Sequence, residues 1–280
     1  MSIRSLPQIK ALEGATNLSF EPGQASLARW NPGVRAATDA ADTISIYDVI
    51  GADPWTGEGV SAKRIAAALR SIGAKDVVVN LNSPGGDFFE GIAIYNLLRE
   101  HAGKVTVKVM GLAASAASVI AMAGDAIEIS SVGFLMVHNA WAIAIGNQHD
   151  MRAAAETLAP FDDAMAGLYA ARAKVDKSVA AGWMDKETWF NGAQAIDAGL
   201  ADALLPNDQL AESDEPAAKA LNASRQIEAA LRAYGYSRGQ ARGLLQESRG
   251  MPGAAANAKP SAGDVTAADL LRLAKTIRGE

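Results

Sequence analysis

Between residues 43 and 205, short apolar runs of strand type alternate with stretches of helical period, separated by turns rich in Gly, Pro and Asn. Parallel neighbours cannot be joined by a tight hairpin, so such alternation calls for helical crossovers layered on a mainly parallel sheet. Thr43 to Val49 alternates as a strand, and Gly51 to Gly59, with Pro54, reads as a loop. Ser61 opens a helix whose Ile65, Ala66, Leu69 and Ile72 share one face, and Gly73 stops it. Asp76 to Leu81 is a buried-type strand, Asn82 to Gly86 a sharp turn, and a helix runs from Asp87 to His101-Ala102-Gly103. A strand over 104–110, a small-residue turn and a helix to about Ala123 follow, then short strands at 126–129 and 133–137. Asp150 is placed to cap a long helix reaching about Lys174, bent at Pro160. A helix from Lys177 to Met184, a helical turn ending at Gly199 and a strand near Ala203 to Leu205 close the unit. The fold class is α/β.

The flanks read differently. Residues 1–42 mix Pro, Gly, Asn and charge without a sustained period and read as an irregular arm. Residues 206–280 read as linker and helical tail: a polar, acidic stretch over 207–221, short helices at Arg225 to Ala233 and Ser237 to Gln246, and an Ala/Gly/Pro linker from Met251 to Gly263. A last helix carries Leu270, Leu271 and Leu273 behind the capping-box spacing of Thr266 and Asp269. From Asn222 onward nine Lys/Arg stand against five Asp/Glu, a basic tail on a chain whose net charge is −5.

Composition removes several classes of function. There is no cysteine, which excludes disulfides, thiolate zinc sites and a cysteine nucleophile, and fits a cytoplasmic location. Residues 1–20 lack the apolar core of a secretory signal, and the longest apolar stretch, Leu112 to Gly124, is too short to span a bilayer. The acidic balance gives no reason to expect nucleic-acid binding by the whole chain, and two short tail helices fall short of a complete DNA reader. Neither G-x-G-x-x-G nor G-x-x-x-x-G-K-[ST] occurs at the Gly85-Gly86 turn, so no nucleotide cofactor is expected there, and no metal.

Chemistry concentrates in Gly111-Leu112-Ala113-Ala114-Ser115-Ala116-Ala117-Ser118, where a strand turns into a helix. A serine there is ordinarily an N-cap, but the same geometry can present a hydroxyl beside helix N–H groups aimed at an oxyanion. A serine nucleophile needs a base, normally histidine. His101 sits at a helix C-terminus, where a cation complements the dipole, and His149 lies by the start of the long helix; His138 directly follows an apolar strand and is either a core histidine or the base. Asn82-Ser83-Pro84-Gly85-Gly86 ends the neighbouring strand, so parallel pairing brings both turns to one sheet edge. Its glycines let a carbonyl approach the main chain, although a plain turn before Asp87 reads equally well.

Asn82 to Gly86, Gly111 to Ala116 and Met136-Val137-His138, in that order and at these separations, resemble the proteolytic subunit of the Clp protease, and the similarity extends through Ala195 to Asp202. The resemblance implies a spiral of β-α units of the ClpP/crotonase type with a mostly helical extension, and a serine endopeptidase without cofactor. It implies Ser115 as nucleophile, His138 as general base and the N–H groups of Gly86 and Ala116 as the oxyanion hole. It further implies a polypeptide substrate lying as an added strand, and subunits that stack into homo-oligomeric rings. The family's aspartate falls on Glu187, with Asp185 the competitor. The wording of the serine segment, Glu187-Thr188-Trp189 and the tail over 227–241 are closer to the phage head-maturation (prohead) branch, which implies capsid or scaffold substrates and a place in the host cytoplasm or procapsid. The alternatives are a housekeeping subunit fed by a separate ATPase, a crotonase-like acyl-CoA enzyme using carboxylates, and a catalytically silent assembly scaffold.

Overall fold

The computed structural model describes residues 22–37, 41–52, 59–206, 210–212 and 216–250. Its elements run α1 (Gln24–Arg29), β1 (Val34–Ala36), β2 (Thr43–Ile46), β3 (Gly51–Ala52), β4 (Gly59–Val60), α2 (Ala62–Ile72), β5 (Val77–Ser83), α3 (Phe88–Arg99), β6 (Val105–Ala114) and α4 (Ala116–Ala121). They continue with β7 (Ala126–Ser130), β8 (Phe134–Val137), α5 (Gln148–Ala173), α6 (Lys177–Asp185), β9 (Thr188–Asn191), α7 (Gly192–Asp197), β10 (Ala203–Leu205), β11 (Leu210–Glu212), α8 (Pro216–Ala233) and α9 (Arg238–Gly250).

The main sheet has the order β10-β7-β6-β5-β2, all parallel, as the strand-helix alternation requires. β6 is the pivot. Its first half pairs with β7, and its second half, Leu112 to Ala114, pairs with β8, which β9 then meets antiparallel. The residues read as a small-residue turn after Met110 are therefore strand as far as Ala114, because β8 continues the ladder there.

Caps fix the helices that frame the site. Ser61 accepts from the Arg64 N–H and Asp87 from the Glu90 N–H, and Gly73 ends α2 at a φ of 76°. For α5 the cap is Asn147, not Asp150; the two exchange side-chain-to-backbone bonds as a reciprocal capping box.

The period of two along β6 and β8 splits the core. Ala113 and Leu135 join the main core with the β5 valines, α3 and α5, whereas Leu112, Ala114 and Met136 face a second cluster with Leu27, Trp30 and Val49. That second cluster orders the flanks. Within the segment read as irregular, α1 and β1 form; β1 pairs antiparallel with β11, inside the stretch read as linker. α8 begins at Pro216, nine residues before the expected Arg225, and packs on α1 with Leu221 and Ala229 against the second cluster. Asn222 donates through Nδ2 to the carbonyls of Leu27, at 3.1 Å, and Trp30. The expected linker over 251–263 and the last helix with Leu270, Leu271 and Leu273 lie outside the described residues.

Candidate active site

β5 and β6 end side by side, so the turns that follow them touch. Ser83 pairs with Ala113, and a Cβ placed on Gly85 would lie 2.6 Å from the Ala114 carbonyl oxygen and 2.7 Å from Ser115 Cβ. Gly85 and Gly86 have φ of 93° and 146°, and a Cβ on Gly86 would overlap the Ile50 carbonyl oxygen. Glycine is required at both positions by space and by dihedral. The turn is held from outside by Ile50, whose N–H donates to Gly85 O at 2.8 Å and whose carbonyl accepts from Asp87 N at 2.9 Å.

Ser115 takes φ 56° and ψ −126°, a conformation costly for a residue with a Cβ, and its side chain makes no capping bond to α4. The N-cap reading of this serine is thus not what the geometry shows, since capping needs an extended residue whose hydroxyl accepts from the first turn. Ser115 is instead pinned by its main chain: its N–H donates to Met136 O at 3.1 Å, continuing the β6–β8 ladder. Ser118 is fully buried; its hydroxyl donates to Ser115 O at 2.6 Å and stands 2.8 Å from Tyr169 Oη. Its one proton is spent on that carbonyl, so Tyr169 donates to it.

His138 leaves β8 one residue beyond Val137, and Val137 faces Thr188 of β9. Glu187, one residue before Thr188, is therefore brought opposite the histidine, in a left-handed conformation at φ 47°. Burial, the largest effect, pushes the imidazole below its ordinary 6.5, while the Glu187 charge and a hydrogen bond with the Asn139 backbone push it back up. Asp185 is engaged elsewhere: its carboxylate accepts from Asn139 Nδ2 at 2.9 Å.

Ser115 and His138 line one small cavity, about 20 Å³, together with Gly86 and Ala116 and the apolar Phe88, Trp141 and Met165. That volume holds about one water molecule. Proximity of Ala116 to α3 is allowed by Gly91, where a Cβ would stand 3.0 Å from Ala116 Cβ. The other histidines are elsewhere. His101 Nε2 contacts Lys75 O at 2.7 Å, and His149 is exposed at the start of α5.

Two carboxylates support the segment after His138: Asp185, which the sequence offered only as a triad competitor, and Asp162, which it did not single out. Asn139 is tied to Asp185, and Ala140 N–H donates to Asp162 at 2.5 Å. Asp162 is pushed up from its ordinary value, by burial first, with the Ala140 bond opposing and the Asp185 charge adding. On sequence Asp162 is one polar residue of a long helix, and no periodicity marks it out. Among the described residues no group of three His, Asp or Glu is arranged to hold a metal ion, and no helix is long and apolar enough to cross a membrane.

The Clp protease family model matches residues 59–208, which is more than half of the chain. An ATP-dependent Clp protease proteolytic subunit from Ligilactobacillus salivarius is 30% identical over 138 residues, covering 48% of this chain and 68% of that protein. The corresponding subunit from Deinococcus radiodurans is 26% identical over 141 residues, covering 50% and 68%. The solved structure of a ClpP1 point mutant from Listeria monocytogenes aligns with a TM-score of 0.50 at 19% identity, over 60% of this chain and 92% of that one, a likeness of fold. Sheet, glycine turn and matched sequence converge on one assignment: the chain belongs to the Clp protease family, whose members are serine peptidases.

Proposed function

We propose that this chain is a serine endopeptidase in which Ser115 Oγ attacks the scissile carbonyl. His138 takes the hydroxyl proton and returns it to the leaving amine; a water, deprotonated by the same imidazole, then releases the acyl group. The N–H groups of Gly86 and Ala116 stabilise the tetrahedral oxyanion, and Glu187 orients the imidazole and stabilises its charged form. The observation that carries this reading is that Ser115, His138, Gly86 and Ala116 all line one cavity. The glycine turn and strained serine support it, because an attacking hydroxyl and an oxyanion site must lie within one substrate carbonyl of each other. Substrate is a polypeptide added as a strand beside the turn, and the subunits assemble into rings.

The substrates in this reading are capsid or scaffold proteins cleaved during phage head maturation. The support is the wording of the serine segment, Glu187-Thr188-Trp189, and a tail that continues beyond the family match. Mass spectrometry of the chain expressed with a capsid partner tests this. Cleavage products that disappear in Ser115→Ala are expected; an uncut partner and an uncut chain contradict the assembly role. The second reading, a housekeeping subunit fed by a separate ATPase, is favoured by relatives named as ATP-dependent subunits. Cleavage of folded assembly proteins without ATP would exclude it.

A further inference from the structure

We propose that the α8–α9 pair is a clamp that positions the Gly85-Gly86 turn, with Arg225 and Asp48 as its positioning residues; this rests on the serine-peptidase reading above. Residues 216–250 lie beyond the family match, so the clamp is an addition of this chain to the protease fold.

The path is continuous. Arg225 grips the Asp48 carboxylate with two bonds, Nε at 2.9 Å and a terminal nitrogen at 2.6 Å, a fork geometry that fixes direction as well as distance. The carbonyl of the same Asp48 accepts from Ser83 Oγ at 2.7 Å, and Ser83 Oγ accepts from Gly85 N–H at 3.2 Å. Two residues on, Ile50 holds Gly85 and Asp87 by main-chain bonds, and the Arg238 side chain packs against Gly51. Segment 48–51 is therefore the outer wall of the proposed oxyanion turn, and the tail arginines are what stand behind it.

The tail is built to aim those arginines. Glu228 is buried and takes Arg225 at 2.9 Å, Arg242 at 3.0 Å and Arg238 at 3.5 Å, tying α8 to α9. Ala229 and Leu221 of α8 also pack on the cluster containing Ala114 and Met136, the residues that set the main chain at Ser115. A tail that merely covered apolar surface would need neither the forked pair nor the buried glutamate.

The test uses the full chain with Arg225→Ala, Arg225→Lys, Asp48→Asn and the exchanged pair Asp48→Arg with Arg225→Asp. Peptide-ester kinetics and hydrogen exchange over residues 83–87 are measured on each. For Arg225→Ala kcat falls roughly 10- to 100-fold with KM within about twofold, the signature of a misplaced transition-state donor. Exchange at 83–87 speeds up by about tenfold, Arg225→Lys and Asp48→Asn fall between, and the exchanged pair recovers part of the loss. Unchanged kcat in Arg225→Ala, whether or not exchange speeds up, overturns the proposal, as does a rise in KM alone. A wild-type chain without turnover counts against the peptidase reading only; exchange at 83–87 then decides the clamp, unchanged exchange in Arg225→Ala overturning it.

Discussion

Glu187, one residue before Thr188 of β9, and His138, one residue after Val137 of β8, lie opposite each other beyond the Val137–Thr188 pair, and the Glu187 charge acts on the imidazole. Asp185 is two residues away in sequence but spends its carboxylate on Asn139. The antiparallel register of β8 and β9 thus separates two carboxylates that the sequence leaves in competition.

Glu187→Gln is accordingly expected to lower kcat by roughly 10²- to 10⁴-fold, because the imidazole loses its orienting partner. Asp185→Asn keeps an acceptor for Asn139 and is expected to lose about threefold or less, through the loop after His138. Equal losses in the two variants, measured with one peptide ester, would remove the distinction.

Catalysis by His138 as a base requires the neutral ring. Burial holds its pKa below 6.5, so the rising limb of kcat/KM against pH inflects below that value. The Glu187 charge raises the pKa, so Glu187→Gln moves the inflection further down. The same lowering makes stability from this group fully present above the unfolded value near 6.5, and lost as pH falls through the folded one. An upward shift in Glu187→Gln would contradict the assigned partner.

In the proposed mechanism the dihedral strain at Ser115 serves to present the nucleophile and costs stability. Ser115→Gly is expected to raise stability by about 1 kcal/mol, since glycine occupies φ 56° without that cost, while abolishing turnover. Thermal unfolding of Ser115→Gly and Ser115→Ala checks this. Ser115→Ala keeps the Cβ and the strain and gains nothing, so equal melting temperatures for the two would argue against a strained elbow.

Gly85→Ala puts a methyl group against Ala114 O and Ser115 Cβ at a φ of 93°. About 2–3 kcal/mol of destabilisation is expected, with activity lost even where the chain stays folded. A Gly85→Ala chain that melts and turns over like wild type would show that the two turns are not in contact.

Most strands and helices of 43–205 were legible because they carry their own punctuation: Ser61 and Gly73 bracket α2, and Asp87 starts α3, whereas β9 and the short β3–β4 pair, in stretches not read as strand, were missed. What escaped depends on partners distant in sequence. Leu112 to Ala114 look like a turn on composition and are strand only because β8 arrives to pair with them. β1 is three residues long and exists through β11, some 175 residues away. The acidic composition ahead of Asn222 hid α8, although Pro216 at its first position is a helix-start signal in its own right. At the site, residue types and order pointed to Ser115, His138, Gly86 and Ala116, which the structure gathers round one cavity; no spacing rule separates Glu187 from Asp185, because which of them faces His138 depends on a strand register, and the triad role proposed for Glu187 rests on it.

Labelling the full chain with a fluorophosphonate and mapping the modified peptide tests whether Ser115 is the nucleophile. One adduct is expected on Ser115, absent in Ser115→Ala, strongly slowed in His138→Ala, and retained in Ser118→Ala, because the Ser118 hydroxyl is buried against Tyr169. No adduct on the wild-type chain, or labelling that persists in Ser115→Ala, would contradict that role.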